Sequence, residues 1–377
     1  MLAIINATIF DGLGNKLENQ VLFVKDGKFD RLETEGQIPD GIETLDASGK
    51  VVTPGLIDVH THIGIAEEGI GKPGQDHNET SDPITPQLRA IDGINPMDEG
   101  FADARKAGVT TVQIMPGSAN VIGGEMAVLK TAGTILDDMI VRAPSGMKAA
   151  TGENPKRFFG DKGKMPVTRM GIAALLRENL IAAQNYLNSD KKERKLGLEN
   201  LAKVLNKEVP LRVHAHRADD IQTVLRIKRE FDIDLTIEHC TEGHLIAEFI
   251  SKHDVRVSVG PTLSTRSKVE LNDKRWTTVK TLMDAGIPCS ITTDHPVVGI
   301  EYLLTSAVHA IRNGISEEQA LQALTLDAAK HLGVEGRVGS IEPGKDADFV
   351  IWSGNPFNLQ NKAERVYIQG VQVNETP

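Results

Sequence analysis

Three features of the 377-residue sequence predict an α/β protein, a distorted (β/α)8 barrel carrying a small β-sandwich built from both chain ends. Short strand-like stretches fill residues 1–53 and recur over 340–377. Between them, over 54–339, apolar β-branched runs alternate with segments of helical period, the pattern of a mostly parallel sheet with crossover helices. Histidines fall at the ends of several of those runs, and in a parallel barrel the strand ends open onto one rim. A doubly wound open sheet is the alternative, but no Gly-x-Gly-x-x-Gly follows an early strand.

The elements follow in order. "NQVLFVKDGKFDRLE" reads as a hairpin that turns at Asp26-Gly27. "PGLIDVHTH" is the first barrel strand, and the irregular stretch from Gly64 to about Pro96 is long enough to predict a substrate loop. Helix–strand units are then legible in "GFADARKAG" with "VTTVQIMPG" and in "LENLAKVLNKE" with "VPLRVHAH". Two more are "IQTVLRIKREF" with "IDLTIEHC" and "WTTVKTLMDAG" with "IPCSITTDH". The last helices are marked by a capping box of Ser316 and Gln319 ahead of "QALQALTLDAAKHLG" and by Gly333 as the C-cap. "DADFVIWSG" and "AERVYIQGVQVNE" return to strands.

The bulk composition narrows the class. A net charge of −10 argues against nucleic acid or an anionic membrane as a partner. Mean hydropathy is −0.21 and no run approaches ~20 apolar residues, so no membrane span is expected. "MLAIINATIFDG" reads as a strand rather than a signal peptide, and two cysteines are too few for a disulfide framework. A cytoplasmic protein is the expectation.

Chemistry concentrates at the strand ends. His60 and His62 sit two residues apart, on one face of a strand, with Asp58 behind them. His214 and His216 repeat the spacing, and His239, Asp294 and His295 close two further strands. Imidazoles with a carboxylate suit a borderline-soft divalent ion such as Zn²⁺ better than Mg²⁺ or Ca²⁺. His77, His244, His253, His309 and His331 lie in helices or loops and read as structural, although His77 in the long loop is within reach of substrate. Alternation turns Cys240 to the face opposite His239, as a small buried apolar residue.

The segments "PGLIDVHTH", "VHAH", "IEHC", "TTDH" and "GSIEPGKDADFVIW" resemble the amidohydrolase superfamily in type and order. "GVTTVQIMPGSANVIGG" and "GENPKR" resemble its imidazolonepropionase-related, prolidase-like branch. The resemblance implies one or two divalent metals, a dimer or larger homo-oligomer, and hydrolysis of a C–N bond in a small molecule. It matches His60, His62, His239 and Asp294 to ligands, with His214 favoured over His216 as the fifth-strand ligand and His216 left to touch substrate. The bridging ligand it implies is a carboxylated lysine, for which Lys148 is the candidate, with Glu125 as rival.

In that setting Asp294 is the expected general base, with His239 or His295 stabilising the oxyanion. Arg142, Lys148, Lys156, Arg157, Arg217 and Arg266 are candidates to hold a substrate carboxylate. A carboxylate-bearing cyclic amide or N-acyl amino acid is the first reading. Deamination of an aminated heterocycle is the second, and a non-catalytic scaffold the third.

Overall fold

The computed structural model describes residues 1–34, 36, 38–190 and 193–374. Seven strands come first: β1 (Leu2–Ile5), β2 (Thr8–Phe10), β3 (Lys16–Leu17), β4 (Gln20–Lys25), β5 (Lys28–Thr34), β6 (Glu43–Asp46) and β7 (Val51–Pro54). The barrel strands follow: β8 (Leu56–Thr61), β9 (Val109–Ile114), β10 (Ile122–Lys130), β11 (Ile140–Ala150), β12 (Leu211–Ala215), β13 (Leu235–His239), β14 (Arg256–Val259) and β15 (Cys289–Ile291). Strands β16 (Phe349–Trp352), β17 (Ala363–Ile368) and β18 (Val371–Gln372) end the chain.

Both chain ends build two sheets. One has the order β5-β4-β1-β6 and the other β18-β17-β16-β7-β2-β3, so the carboxyl-terminal strands pair with β7. Ile4, Ile9, Leu22, Phe29, Val52, Phe349, Ile351 and Tyr367 form their shared core. The β4–β5 hairpin turns where expected, with Asp26 and Gly27 both at positive φ, as a tight two-residue turn requires.

The eight barrel strands pair in sequence order from β8 to β15. A parallel bridge between Thr61 and His295 and the His62 N–H on the His295 carbonyl bring the first strand to the last, so the ring nearly closes. Seven strands run parallel, while β10 runs antiparallel to both neighbours. A parallel neighbour needs a crossover of a dozen or more residues. The chain between β9 and β10 holds no helix, and between β10 and β11 only the single turn Leu136–Met139, so the chain folds back on itself. This long hairpin supplies the fourth barrel strand, and it sets Lys148 beside the strand of His214.

The last helical stretch is broken. Helices Glu317–Leu324 and Leu326–Leu332 flank Thr325, whose hydroxyl bonds the Leu321 carbonyl at 2.6 Å in competition with the backbone ladder. The Ser316–Gln319 capping box and the left-handed Gly333 (φ 68°) are both present. Among the described residues no helix is long and apolar enough to cross a membrane.

Candidate metal centre

Strand β8 is buried throughout, and its period of two sends Asp58, His60 and His62 to one side. Asp58 accepts bonds from the hydroxyls of Thr292 and Thr293 and from the Thr293 N–H. It thereby ties the first strand to the segment carrying Asp294. Asp294 stands at φ 56° and His239 at φ 72°, left-handed positions that cost a side-chain-bearing residue of the order of 1–3 kcal/mol. At His239 the twist matters, because alternation alone would turn this side chain away from the face shared by Thr236 and Glu238.

His60 Nε2 lies 3.4 Å and His62 Nε2 3.3 Å from Oδ1 of Asp294. Nζ of Lys148 lies 3.3 Å from His60 Nε2. The ring of His239 is centred 4.6 Å from His60, 4.4 Å from His214 and 4.5 Å from His216. Two groups of three, His60–His239–Asp294 and His214–His216–His239, have ligand atoms within 4.8 Å of one another. A tetrahedral ion with bonds of ~2.0–2.1 Å needs ligand atoms ~3.3–3.4 Å apart, so these residues fit a divalent metal.

The outer ring nitrogens are arranged to match. Nδ1 of His62 faces the Met115 carbonyl and Nδ1 of His239 the Gly260 carbonyl, both at 2.7 Å. A carbonyl only accepts, so each Nδ1 carries the proton and each Nε2 presents a lone pair to the centre. Nδ1 of His216 faces the Thr241 hydroxyl at 2.7 Å, and Nδ1 of His60 faces Glu238 at 3.3 Å. Both nitrogens of His214 are buried with no hydrogen-bond partner in the protein, a costly state unless something else occupies them.

Burial keeps the imidazoles neutral, the form that binds metal. It takes His60 down to about 3, with Lys148 and His239 adding to the effect, and holds His214 and His216 well below the usual histidine range. Burial also brings the Lys148 ammonium down to about 8 against the pull of Asp294 and Glu238. Asp294 stays ionised. Burial opposes its charge, but His239, His62 and His60 outweigh it and hold the carboxyl well below the usual range.

Other expected site residues fall elsewhere. His295 turns away from the cluster: its Nδ1 accepts the Ile300 N–H at 3.2 Å and its Nε2 faces Glu68 at 3.6 Å. Glu125, on the reversed strand β10, faces outward and pairs with Lys203 at 2.6 Å, which leaves Lys148 as the only one of the two rivals at the rim. Arg142 lies near the start of β11, at the opposite end from Lys148, where it bonds the Leu332 and Glu208 carbonyls. Arg217 is paired with Asp219 at 2.9 Å, and Arg266 is spent on the Asn272 and Lys274 carbonyls of its own loop.

Above the cluster opens a cavity of about 420 Å³ lined by His62, His214, His216 and Asp294 at its base. The long loop does form part of its wall, through Gln75, His77 and Asn78. Arg157 and Lys268 are its cations, and Lys156 does not line it. Lys268 bonds Asn154 and Glu270, whereas Arg157 has no carboxylate partner among the described residues. The remaining histidines are structural as expected: His244 pairs with Asp273, His253 bonds the Phe249 carbonyl, His309 stacks on Trp276, and His331 pairs with Glu238.

Glu238 and Glu270 were not legible. Glu238 could have been suspected from Thr236 and Glu238 on one face of an otherwise apolar strand. Glu270 sits on the single 3-10 turn Val269–Leu271 within an irregular connection, too short for periodicity to offer a signal.

A barrel with imidazoles and a carboxylate converging on its rim is that of a hydrolase. The chain belongs to the amidohydrolase family: the profile described as "Amidohydrolase family" matches residues 51–373. It is 25% identical to the imidazolonepropionase of Legionella pneumophila (strain Corby), over 93% of this chain and 92% of that protein. It is 28% identical to amidohydrolase tasK of Hapsidospora irregularis over 93% of this chain, which spans only 39% of that protein's length. The solved structure of an amidohydrolase from Thermotoga maritima MSB8 superposes with a TM-score of 0.96 at 42% identity, covering 99% of both chains.

Proposed function

We propose that the protein is a metal-dependent hydrolase that cleaves the C–N bond of an amide or cyclic amide in a small, carboxylate-bearing molecule. The observation that carries this reading is the convergence of His60, His62, His239 and Asp294 at ligand spacing, with His62 and Asp294 on the floor of one cavity. Zn²⁺ suits the nitrogen-rich set. Such an ion supplies Lewis acidity, polarising a carbonyl and acidifying water.

The chain's own residues do the rest. His60, His214 and His239 offer imidazoles that burial keeps neutral, His62 turns its Nε2 to the centre, and Lys148 is placed, buried and brought down far enough to serve as the modified bridging ligand. Asp294 is the ionised group at the centre, able to take a proton from water and return it to the departing nitrogen. Arg157, which has no carboxylate partner among the described residues, offers its guanidinium at the cavity wall as a fork for a substrate carboxylate. The similarity to imidazolonepropionases is in keeping with an anionic cyclic-amide substrate.

The test is a panel of imidazolone propionate, N-acyl amino acids, dipeptides and aminated heterocycles, run on the wild type and on Asp294→Asn. Amide hydrolysis without ammonia release, lost by about 10²-fold or more in the variant with metal retained, is the expected result. Ammonia release would favour the deaminase. Full activity in Asp294→Asn would remove the assigned base.

A further inference from the structure

Three connections that form the cavity wall meet at Asn154. This residue is the second of helix Glu153–Gly160, which follows β11, and its Nδ2 donates to the Ser118 hydroxyl at 2.7 Å, in the connection after β9. Its Oδ1 accepts from Lys268 at 3.0 Å, in the connection after β14. An ammonium only donates, so Lys268 fixes which way the amide points and leaves Nδ2 for Ser118. Lys268 also donates to Glu270 Oε1 at 2.8 Å, and the other Glu270 oxygen takes the Glu153 N–H at 2.9 Å. The connection after β14 therefore grips the start of the helix twice, once by a side chain and once by the backbone. Gly152 leaves room for this, since a Cβ there would lie 2.5 Å from Glu270 Oε2.

Arg157 stands three residues further along the same helix, and residues three apart share a face. Ser118, Asn154, Arg157 and Lys268 all line the cavity. The Arg157 guanidinium lies over the Phe158 ring at 5.7 Å and has no carboxylate partner among the described residues, so the helix sets its place rather than an ion pair. We propose that Asn154 is a positioning residue for substrate recognition: by tying the connections after β9 and β14 to the helix, it holds Arg157 at the substrate carboxylate. The assignment rests on Arg157 being the anion fork of the functional reading. A fork meets a carboxylate with both bonds over a narrow range of angles, so a helix start released from its ties loses affinity for the anion. The groups at His60, His62 and Asp294 are untouched by that loss.

The experiment is steady-state kinetics of the full chain with imidazolone propionate and its methyl ester, and with N-acetylalanine and its methyl ester. Asn154→Ala should raise KM about 5-fold for the acid and under about 2-fold for the ester, with kcat within about 3-fold and metal content unchanged. Ser118→Ala, which removes one tie of the two, should raise KM for the acid by about 2-fold. Adding Asn154→Ala to Arg157→Met should raise KM no further than Arg157→Met alone, because the tie acts through the guanidinium. Unchanged KM in Asn154→Ala, an equal rise for acid and ester, or additive losses in the double variant each overturn the positioning role alone. Should Asn154→Ala fail to fold, Ser118→Ala decides, and an unchanged KM there overturns it. Arg157→Met without a selective effect removes the anion fork as well. Hydrolysis of neither pair counts against the functional reading, and hydrogen exchange then judges the tie: residues 153–160 should exchange about 10-fold faster in Asn154→Ala, and equal exchange overturns it.

Discussion

The carboxylate of Glu238 lies 3.3 Å from Nδ1 of His60, on the ring nitrogen opposite the one that faces Asp294 and Lys148. Glu238 is itself held by the hydroxyls of Thr236 and Ser258 and by His331. A carboxylate behind a ligating histidine fixes its tautomer and raises its basicity, and removing one typically costs about 10–100-fold in metal affinity. Glu238→Gln should therefore weaken zinc binding by about that factor in chelator competition. Unchanged affinity would show that Glu238 serves only packing.

Arg157 and the other arginines should separate in kinetics. Arg157→Met should raise KM for carboxylate-bearing substrates by about 10-fold or more with smaller change for uncharged esters of the same substrates. Arg217→Met and Arg266→Met should leave KM within about 2-fold, because both side chains are bonded within their own loops. A selective loss at Arg217 or Arg266 would move the anion site.

Lys130 links the far end of the barrel to the terminal strands. Its buried ammonium pairs with Asp348 and lies 3.1 Å from Asp346. Removing one partner of a buried pair leaves the other charge uncompensated at about 3–5 kcal/mol. Lys130→Met should lower stability to urea by that order while the folded fraction keeps its zinc. Asp346 keeps Arg337 at 2.8 Å and Lys28 at 3.3 Å, so the charge left uncompensated is that of Asp348, and a loss under about 1 kcal/mol would mean that water relieves it.

The two thiols should be silent in the native chain. Cys240 and Cys289 are fully enclosed, and burial pushes the Cys240 thiol up to about 12. Thiolate is the reactive form, so a disulfide reagent at pH 8 should modify neither cysteine before denaturation and both after it. Rapid native labelling would show that the barrel wall opens.

Much of the site was legible because its residues close strands. His60, His62, His214 and His216 are set by strand periodicity, and His239 and Asp294 join them through the shared rim of a barrel, rules that read directly from sequence. Lys148 was harder to place, since the reversed strand β10 hides the fourth strand inside a hairpin with no crossover helix. His295 misled because chain proximity to Asp294 says nothing about direction after a left-handed residue. Arg142 and Glu125 failed for a related reason: one lies at the wrong end of its strand and the other on the outer face. Glu270 depends on how one irregular loop folds over the rim, which only tertiary packing decides.

Elemental analysis of the purified chain, compared with a His60→Asn, His62→Asn double variant, tests the central claim most directly. The wild type should carry at least about one equivalent of zinc or a similar divalent ion, and chelation should abolish hydrolysis that zinc restores. The double variant should lose that ion and that activity together. Hydrolysis undiminished in metal-stripped protein would contradict the account.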